Sequence, residues 1–216
     1  MSDSRYPVTA RSRVERLPKR GSYDREAIYP ILDEALVCHV GFATDGQPCV
    51  IPCFYARDGD RLLLHGAVAS RLMQTLGSGA PSCITVTLLD GLVLARSAFR
   101  HSMNYRSVVC FGRAQPIIDD LAKKQALALL VDKVVAGRNA DVRPPNASEL
   151  KATTVVAFTI EEASAKVRRG PPVDDPRDLE LPVWAGEVPL AIQWGDVVPA
   201  PELAAETPLP DYLRSL

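Results

Sequence analysis

A mostly-β fold, an antiparallel barrel with a few peripheral helices, is predicted by three observations. β-rich runs follow one another from Leu36 to Arg113, Asp-Gly pairs occupy three of their joints, and helix start and stop signals are sparse. The runs are LVCHVGFAT, PCVIPCFYAR, RLLLHGAV, SCITVTLL and LVLARSAF, followed by YRSVVCFGRAQPI. Asp45-Gly46, Asp58-Gly59 and Asp90-Gly91 read as tight hairpin turns, whose positive φ angles favour this dipeptide, so the chain should meander. TTVVAFTIEEASAKVRR adds a long strand rich in β-branched residues. About six or seven such strands must cover their edges, and closure into a barrel is the usual way.

The helices are few. Ser22 or Asp24 can cap YDREAIYPILDEAL, where Pro30 should kink or split the helix unless it begins there. Ser70 opens RLMQTLGSG, closed by Gly77 or Gly79. The clearest helix starts at Asp119 or Asp120 and carries an Ala/Leu-rich stripe to Val135, with Gly137 at its C′ position. That stripe suits core or dimer packing. NASELKA is a further helical segment. After Gly170 the texture changes: nine of the 18 prolines fall in the last 46 residues, so 171–216 should run over the surface as an extended tail. With an N-terminal arm over 1–21, the whole of 1–216 reads as one domain.

Composition narrows the function classes. The 216 residues, 47% hydrophobic and 24% charged, can bury a real core, and a net charge of -1 asks for neither a nucleic-acid nor a membrane-surface partner. No stretch approaches the roughly 20 apolar residues of a membrane helix, and the N-terminus lacks the apolar segment of a secretory signal, so a cytoplasmic protein is expected. Arg11, Arg13, Arg16, Lys19 and Arg20 are interleaved with Glu15 and read as a solvated arm. Cys38, Cys49, Cys53, Cys83 and Cys110 sit inside apolar runs, as small buried hydrophobes do. Cys49 and Cys53 lack a second pair at metal-ligand spacing, and the three histidines are too dispersed for a metal cluster.

RLLLHGAVASRLMQTL is the most informative segment. A strand ends at His65, a Gly-Ala link turns the chain, and Ser70-Arg71 open a helix. Orphan N–H groups, a hydroxyl and a guanidinium thus meet at a helix start, which suits phosphate. Ser70 as a plain N-cap and Arg71 as a solvated residue is the competing account.

HGAVASRL, the later NYRSVVCFGRAQ and the order of elements resemble the flavin-binding split barrels of the pyridoxamine 5′-phosphate oxidase superfamily. The nitroimidazole-resistance-type, flavin-nucleotide-binding branch is the nearer likeness, over roughly Arg11 to Arg113 and on to about Pro189 through ATTVVAF and EEASAKVRRGPPVDD. The resemblance implies a mostly-β fold, an antiparallel split β-barrel with a few peripheral α-helices, in a homodimer. It implies that the strand with Val50, Ile51 and Pro52 lies along an FMN ring, with FAD or deazaflavin as alternatives. His65 and Gly66 match the strand end beside the flavin, Ser70 and Arg71 the phosphate grip, and Thr85 a strand flanking the ring. Tyr105 and Arg106 match a strand lining the pocket near the dimer interface, so a partner subunit would complete each site. His65 matches a flavin-proximal histidine that can serve as catalytic proton donor to a small-molecule substrate.

Two departures bear on activity. Arg71 is followed by Leu72 where many relatives have a second basic residue, and no C-terminal Arg/His signature for pyridoxamine phosphate is recognisable, so vitamin B6 oxidation is not expected. The expectation is an FMN-binding oxidoreductase moving electrons from a nicotinamide donor to a nitro-aromatic or quinone-like acceptor. The alternatives are a non-enzymatic flavin carrier or sensor, a split barrel using deazaflavin or haem, and a cofactor-free interaction module. His39 reads as a core or face residue, His101 as either a lid or a plain loop residue. Trp184 and Trp194 either fasten the tail or roof the flavin.

Overall fold

The computed structural model describes residues 4–204 and 206–214. Its sheet follows the order β3-β2-β6-β7-β8-β5-β4, antiparallel throughout and not closed between β3 and β4. The strands are β1 (Gly21–Ser22), β2 (Val37–Thr44), β3 (Gln47–Phe54), β4 (Ala56–Asp58), β5 (Arg61–Ala67), β6 (Ser82–Leu94), β7 (Ser102–Pro116), β8 (Thr153–Arg168) and β9 (Gly186–Pro189). This is the split barrel expected, with two short strands, β1 on β8 and β9 on β6, that the sequence did not announce.

Alternation along the strands makes the core. Val40, Ile84, Cys110 and Ala163 lie opposite one another across β2, β6, β7 and β8, and all are fully buried. One residue along, His39, Thr85 and Val109 form a row on the outer face. Helix α1 (Arg25–Glu34) contributes Ile28, Ile31 and Leu32 to the inner core, and α2 (Arg71–Gly77) contributes Leu72, Met73 and Leu76. Pro30 neither splits nor starts α1. It costs the carbonyl of Glu26 its helical donor, an expense on an exposed residue that the burial of three aliphatic side chains outweighs.

Two of the three Asp-Gly turns are as expected: Asp45 and Gly46 have φ of 51° and 76°, and Gly59 has φ of 60°. Asp90-Gly91 is not a turn. β6 runs straight through it with a register shift against β7, and Gly91 is needed for a different reason: a Cβ there would lie 2.9 Å from the carbonyl oxygen of Val188 on β9. The tail is therefore partly a strand, and it docks where the missing side chain leaves room.

Helix α3 (Asp120–Val134) is capped by the Asp119 carboxylate, which accepts from Ala122 N at 2.8 Å. Gly137, at φ 87°, starts the short α4 (Arg138–Asp141) instead of simply ending α3. α5 (Ala147–Ala152) has a reciprocal capping box between Asn146 and Glu149. Ala126 and Leu130 of α3 bury against Ala56, Leu63, Val155 and Ala157, forming a second, smaller core outside the barrel. No described helix is long and apolar enough to cross a membrane.

The N-terminal arm is not merely solvated. Tyr6 and Ser12 are buried, and Arg11 pairs with Glu162 and stacks over Phe111. The Tyr6 hydroxyl donates to Asp60 at 2.8 Å, Tyr29 donates to the same oxygen, and Arg25 donates to both Asp60 oxygens at 3.0 and 3.1 Å. These donors, Arg25 foremost, hold the Asp60 carboxyl down at about 2. The sign follows: the network stabilises fully above about pH 4, where Asp60 is charged even unfolded, and is lost as pH falls through about 2. With its side chain 44% exposed, about 1 kcal/mol is expected after solvent screening. Urea midpoints should show Asp60→Asn less stable than the parent at pH 7, with the gap shrinking toward pH 2; a pH-independent gap would refute the linkage.

Candidate functional site

β5 ends at one mouth of the barrel and delivers His65, Gly66 and the turn into α2. Ser70 is the N-cap of α2, its hydroxyl accepting from Met73 N at 3.5 Å, so that oxygen is engaged in the helix start. Gly66 has a packing reason: a Cβ there would lie 2.9 Å from Met73 Cγ, so the glycine lets α2 close onto β5. Arg71 differs from Arg11 and Arg106, which are both ion-paired. It is exposed, and among the described residues it has no ion pair, hydrogen bond or ring contact.

Arg106 is already committed. It donates to Glu34 of α1 and, at 2.7–3.2 Å, to Asp90 of β6, and these bonds hold both carboxyls below their usual range. It is a clasp between α1, β6 and β7, with its charge balanced twice. Tyr105 alternates to the opposite face of β7, beside the exposed Leu89. It lies four positions before Val109, which shares a row with Thr85, so Tyr105 stands roughly 13 Å along the strand from that row. One chain does not bring Tyr105 or Arg106 to Arg71.

Val50, Pro52 and Phe54 share the outer face of β3, an edge strand paired only with β2. Val50 is 66% exposed, whereas Ile51 turns inward and packs on the barrel core, leaving only its backbone to a ligand. Pro48 and Pro52 have no N–H, which suits positions whose amide faces away from β2. The same alternation turns the Val50 amide and carbonyl to the unpaired edge. Thr85 joins this face through His39, which stands opposite both Pro52 and Thr85.

Phe54 connects this face to a cavity of about 560 Å³ that it lines together with His65. Leu127, Leu130, Val131 and Val134 of α3 form the far wall, and Arg143, Pro145, Glu149 and Thr153 complete it. The exposed surface of His65 opens onto this cavity, and desolvation by the surroundings lowers its pKa, favouring the neutral ring at pH 7. The Ala/Leu stripe of α3 thus packs a core with one edge and walls a cavity with the other. That wall was the part of the site the sequence reading missed; its one signal was that Leu127, Val131 and Val134 extend the stripe beyond what two buried residues, Ala126 and Leu130, require.

The remaining candidates are structural. All five cysteines are free thiols; burial pushes Cys38 up to about 12 and Cys110 higher still, as for inert core residues. His101 lies on the β6–β7 loop with Nδ1 3.0 Å from the Ser97 carbonyl, and His39 lies exposed on the sheet face. Among the described residues no group of three or more His, Cys, Asp or Glu could hold a bare metal ion.

A split antiparallel barrel with an exposed edge strand and helices packed into its core defines the split-barrel class of fold. A family model described as pyridoxamine 5′-phosphate oxidase matches residues 24–167, and the chain belongs to that family. Among solved structures it is similar to the flavocytochrome Anf3 from Azotobacter vinelandii, at 40% identity, 96% coverage of both chains and a TM-score of 0.90. It is also similar to an FAD and haem binding protein from Mycobacterium smegmatis, at 39% identity, with 91% of this chain and 96% of that one covered and a TM-score of 0.87. A protein of Bacteroides thetaiotaomicron named for 5-nitroimidazole antibiotic resistance is 25% identical over 67% of this chain and 84% of its own, with a TM-score of 0.57. No curated protein matches the chain.

Proposed function

We propose that this protein is a flavin-dependent redox protein that also carries haem, holding FAD along the outer face of β3 with its pyrophosphate at Arg71. The observation that carries the flavin reading is the unpartnered Arg71 guanidinium at the helix start that follows the His65 strand; Arg25, Arg57, Arg96 and Arg106 are matched to carboxylates. Among the described residues, the other arginines whose side chains make no ion pair, hydrogen bond or ring contact, Arg13, Arg16, Arg20 and Arg169, lie on the N-terminal arm or just after β8. The Val50 backbone on the open edge suits the polar rim of an isoalloxazine, and the exposed Pro52 and Val50 suit its face. FAD rather than FMN is favoured because two relatives at about 40% identity are named for FAD or as a flavocytochrome, and haem comes with them.

The cofactors supply the electron chemistry, the flavin exchanging electrons in ones or twos and the haem iron one at a time. The chain's part is to hold them close together: Phe54 belongs both to the β3 face and to the cavity wall. A nicotinamide donor would bind transiently, since no Gly-rich dinucleotide fingerprint follows a strand. The acceptor is haem or a small nitro-aromatic or quinone-like molecule. Two copies in a two-fold dimer would complete the site from Tyr105 and the tail, whose Trp184, Ile192 and Trp194 are exposed in a single chain. Five unpaired thiols suit a reducing compartment such as the cytoplasm.

The test is the visible spectrum of the purified protein, alone and after adding FAD, FMN or hemin, followed by denaturation and identification of what is released. Flavin bands with a Soret band, and FAD released, are expected. FMN as the only flavin retained would replace FAD in this reading, and a protein that refuses every one of the three would end it. Anaerobic bleaching of the flavin by NADH or NADPH would support the redox role; a flavin inert to both would favour a carrier.

A further inference from the structure

We propose that the cavity beneath α3 is the haem site, where His65 would hold the iron and the α3 aliphatic side chains would cover the porphyrin; this rests on the flavin and haem reading above. The argument begins with the ligand count. A bare metal ion needs several protein donors close together, and the described residues offer no such group. A porphyrin brings four nitrogens of its own and needs as little as one imidazole from the protein. The cavity offers one imidazole, His65.

Size and lining agree. The volume of about 560 Å³ falls within the roughly 300–1,000 Å³ of small-molecule and cofactor sites. Phe54, Leu127, Leu130, Val131 and Val134 supply the dry surface that a large flat aromatic requires. The side chains that widen α3 beyond its two core residues then have an occupant. Arg143 adds a cation among these apolar walls. It binds Glu149 at 2.6 and 2.8 Å and the Pro144 carbonyl at 3.2 Å, which leaves Nε and one Nη2 proton for the carboxylates of a haem. Neither other histidine competes, because neither His39 nor His101 lines this cavity, and the second cavity, about 220 Å³, contains no imidazole. His65 would then serve the iron rather than donate a proton to substrate.

Hemin titration followed at the Soret band tests this on the full chain, with flavin content and far-UV circular dichroism recorded in parallel. His65→Ala should lose the hemin-induced band while keeping its fold, and free imidazole should restore it by entering the vacated position. His101→Ala should titrate like the parent. Val131→Trp, which puts bulk into the cavity while keeping His65, should weaken hemin uptake at least tenfold with flavin retained. An unchanged Soret band in folded His65→Ala, or its loss in His39→Ala instead, would overturn the site while leaving haem binding intact. A parent protein that takes up no hemin would overturn the haem reading, and the site with it.

Discussion

Arg71→Ala is expected to weaken flavin binding by about 10- to 100-fold, the range for losing a charge-assisted bond of about 1.5–3 kcal/mol, while the barrel stays folded. The fold should not notice, because the Arg71 side chain is exposed and makes no hydrogen bond, ion pair or ring contact among the described residues, and α2 is held by Leu72, Met73 and Leu76 in the core. Equilibrium dialysis against FAD at low and moderate salt, with thermal melts of the unliganded protein, separates the two effects. The loss should shrink as salt rises, since a guanidinium on phosphate is screened. Arg106→Ala should behave in the opposite way, costing stability because it strands Glu34 and Asp90 facing each other without their shared cation. An Arg71→Ala variant that binds FAD as tightly as the parent would remove the phosphate assignment.

Gly112→Ala should destabilise the protein by about 3 kcal/mol or more, at or beyond the upper end of ordinary overpacking. A Cβ at this position would lie 1.9 Å from the Thr159 carbonyl oxygen and 3.1 Å from Phe158 Cζ. The first is backbone in β8, which is paired at Thr159 with both β5 and β7, and it cannot swing aside as a side chain tip would. Gly112 also sits at the register shift between β7 and β8, so any relief must move the bulge itself. A denaturant titration reads this as a lower midpoint with unchanged slope. A midpoint equal to the parent's would mean that the bulge is soft.

These two residues mark how differently the sequence speaks about site and scaffold. Arg71 was legible because strand, turn, capping serine and arginine are all local, and local chemistry is written in consecutive residues. Gly112 lies within YRSVVCFGRAQ and reads there as one more strand residue; its necessity comes from Thr159, 47 positions later. Arg106 and Asp90-Gly91 show the same division. The charge of Arg106 was visible, but Glu34 and Asp90, which consume it, are brought in by α1 and β6. Asp90-Gly91 carries the dipeptide of a hairpin, yet the glycine was selected by the approach of β9 rather than by a turn.

By itself the sequence determined the class of fold, the strand runs, the capped helices and the segment from His65 to Arg71, because periodicity and capping act over a few residues. Only the tertiary structure decided that Arg106 is consumed by Glu34 and Asp90, that the N-terminal arm is strapped to Asp60, and that α3 and His65 line one open cavity. Those are matters of long-range contact. Charge is used up, and space is left over, only when elements far apart in the chain are brought together.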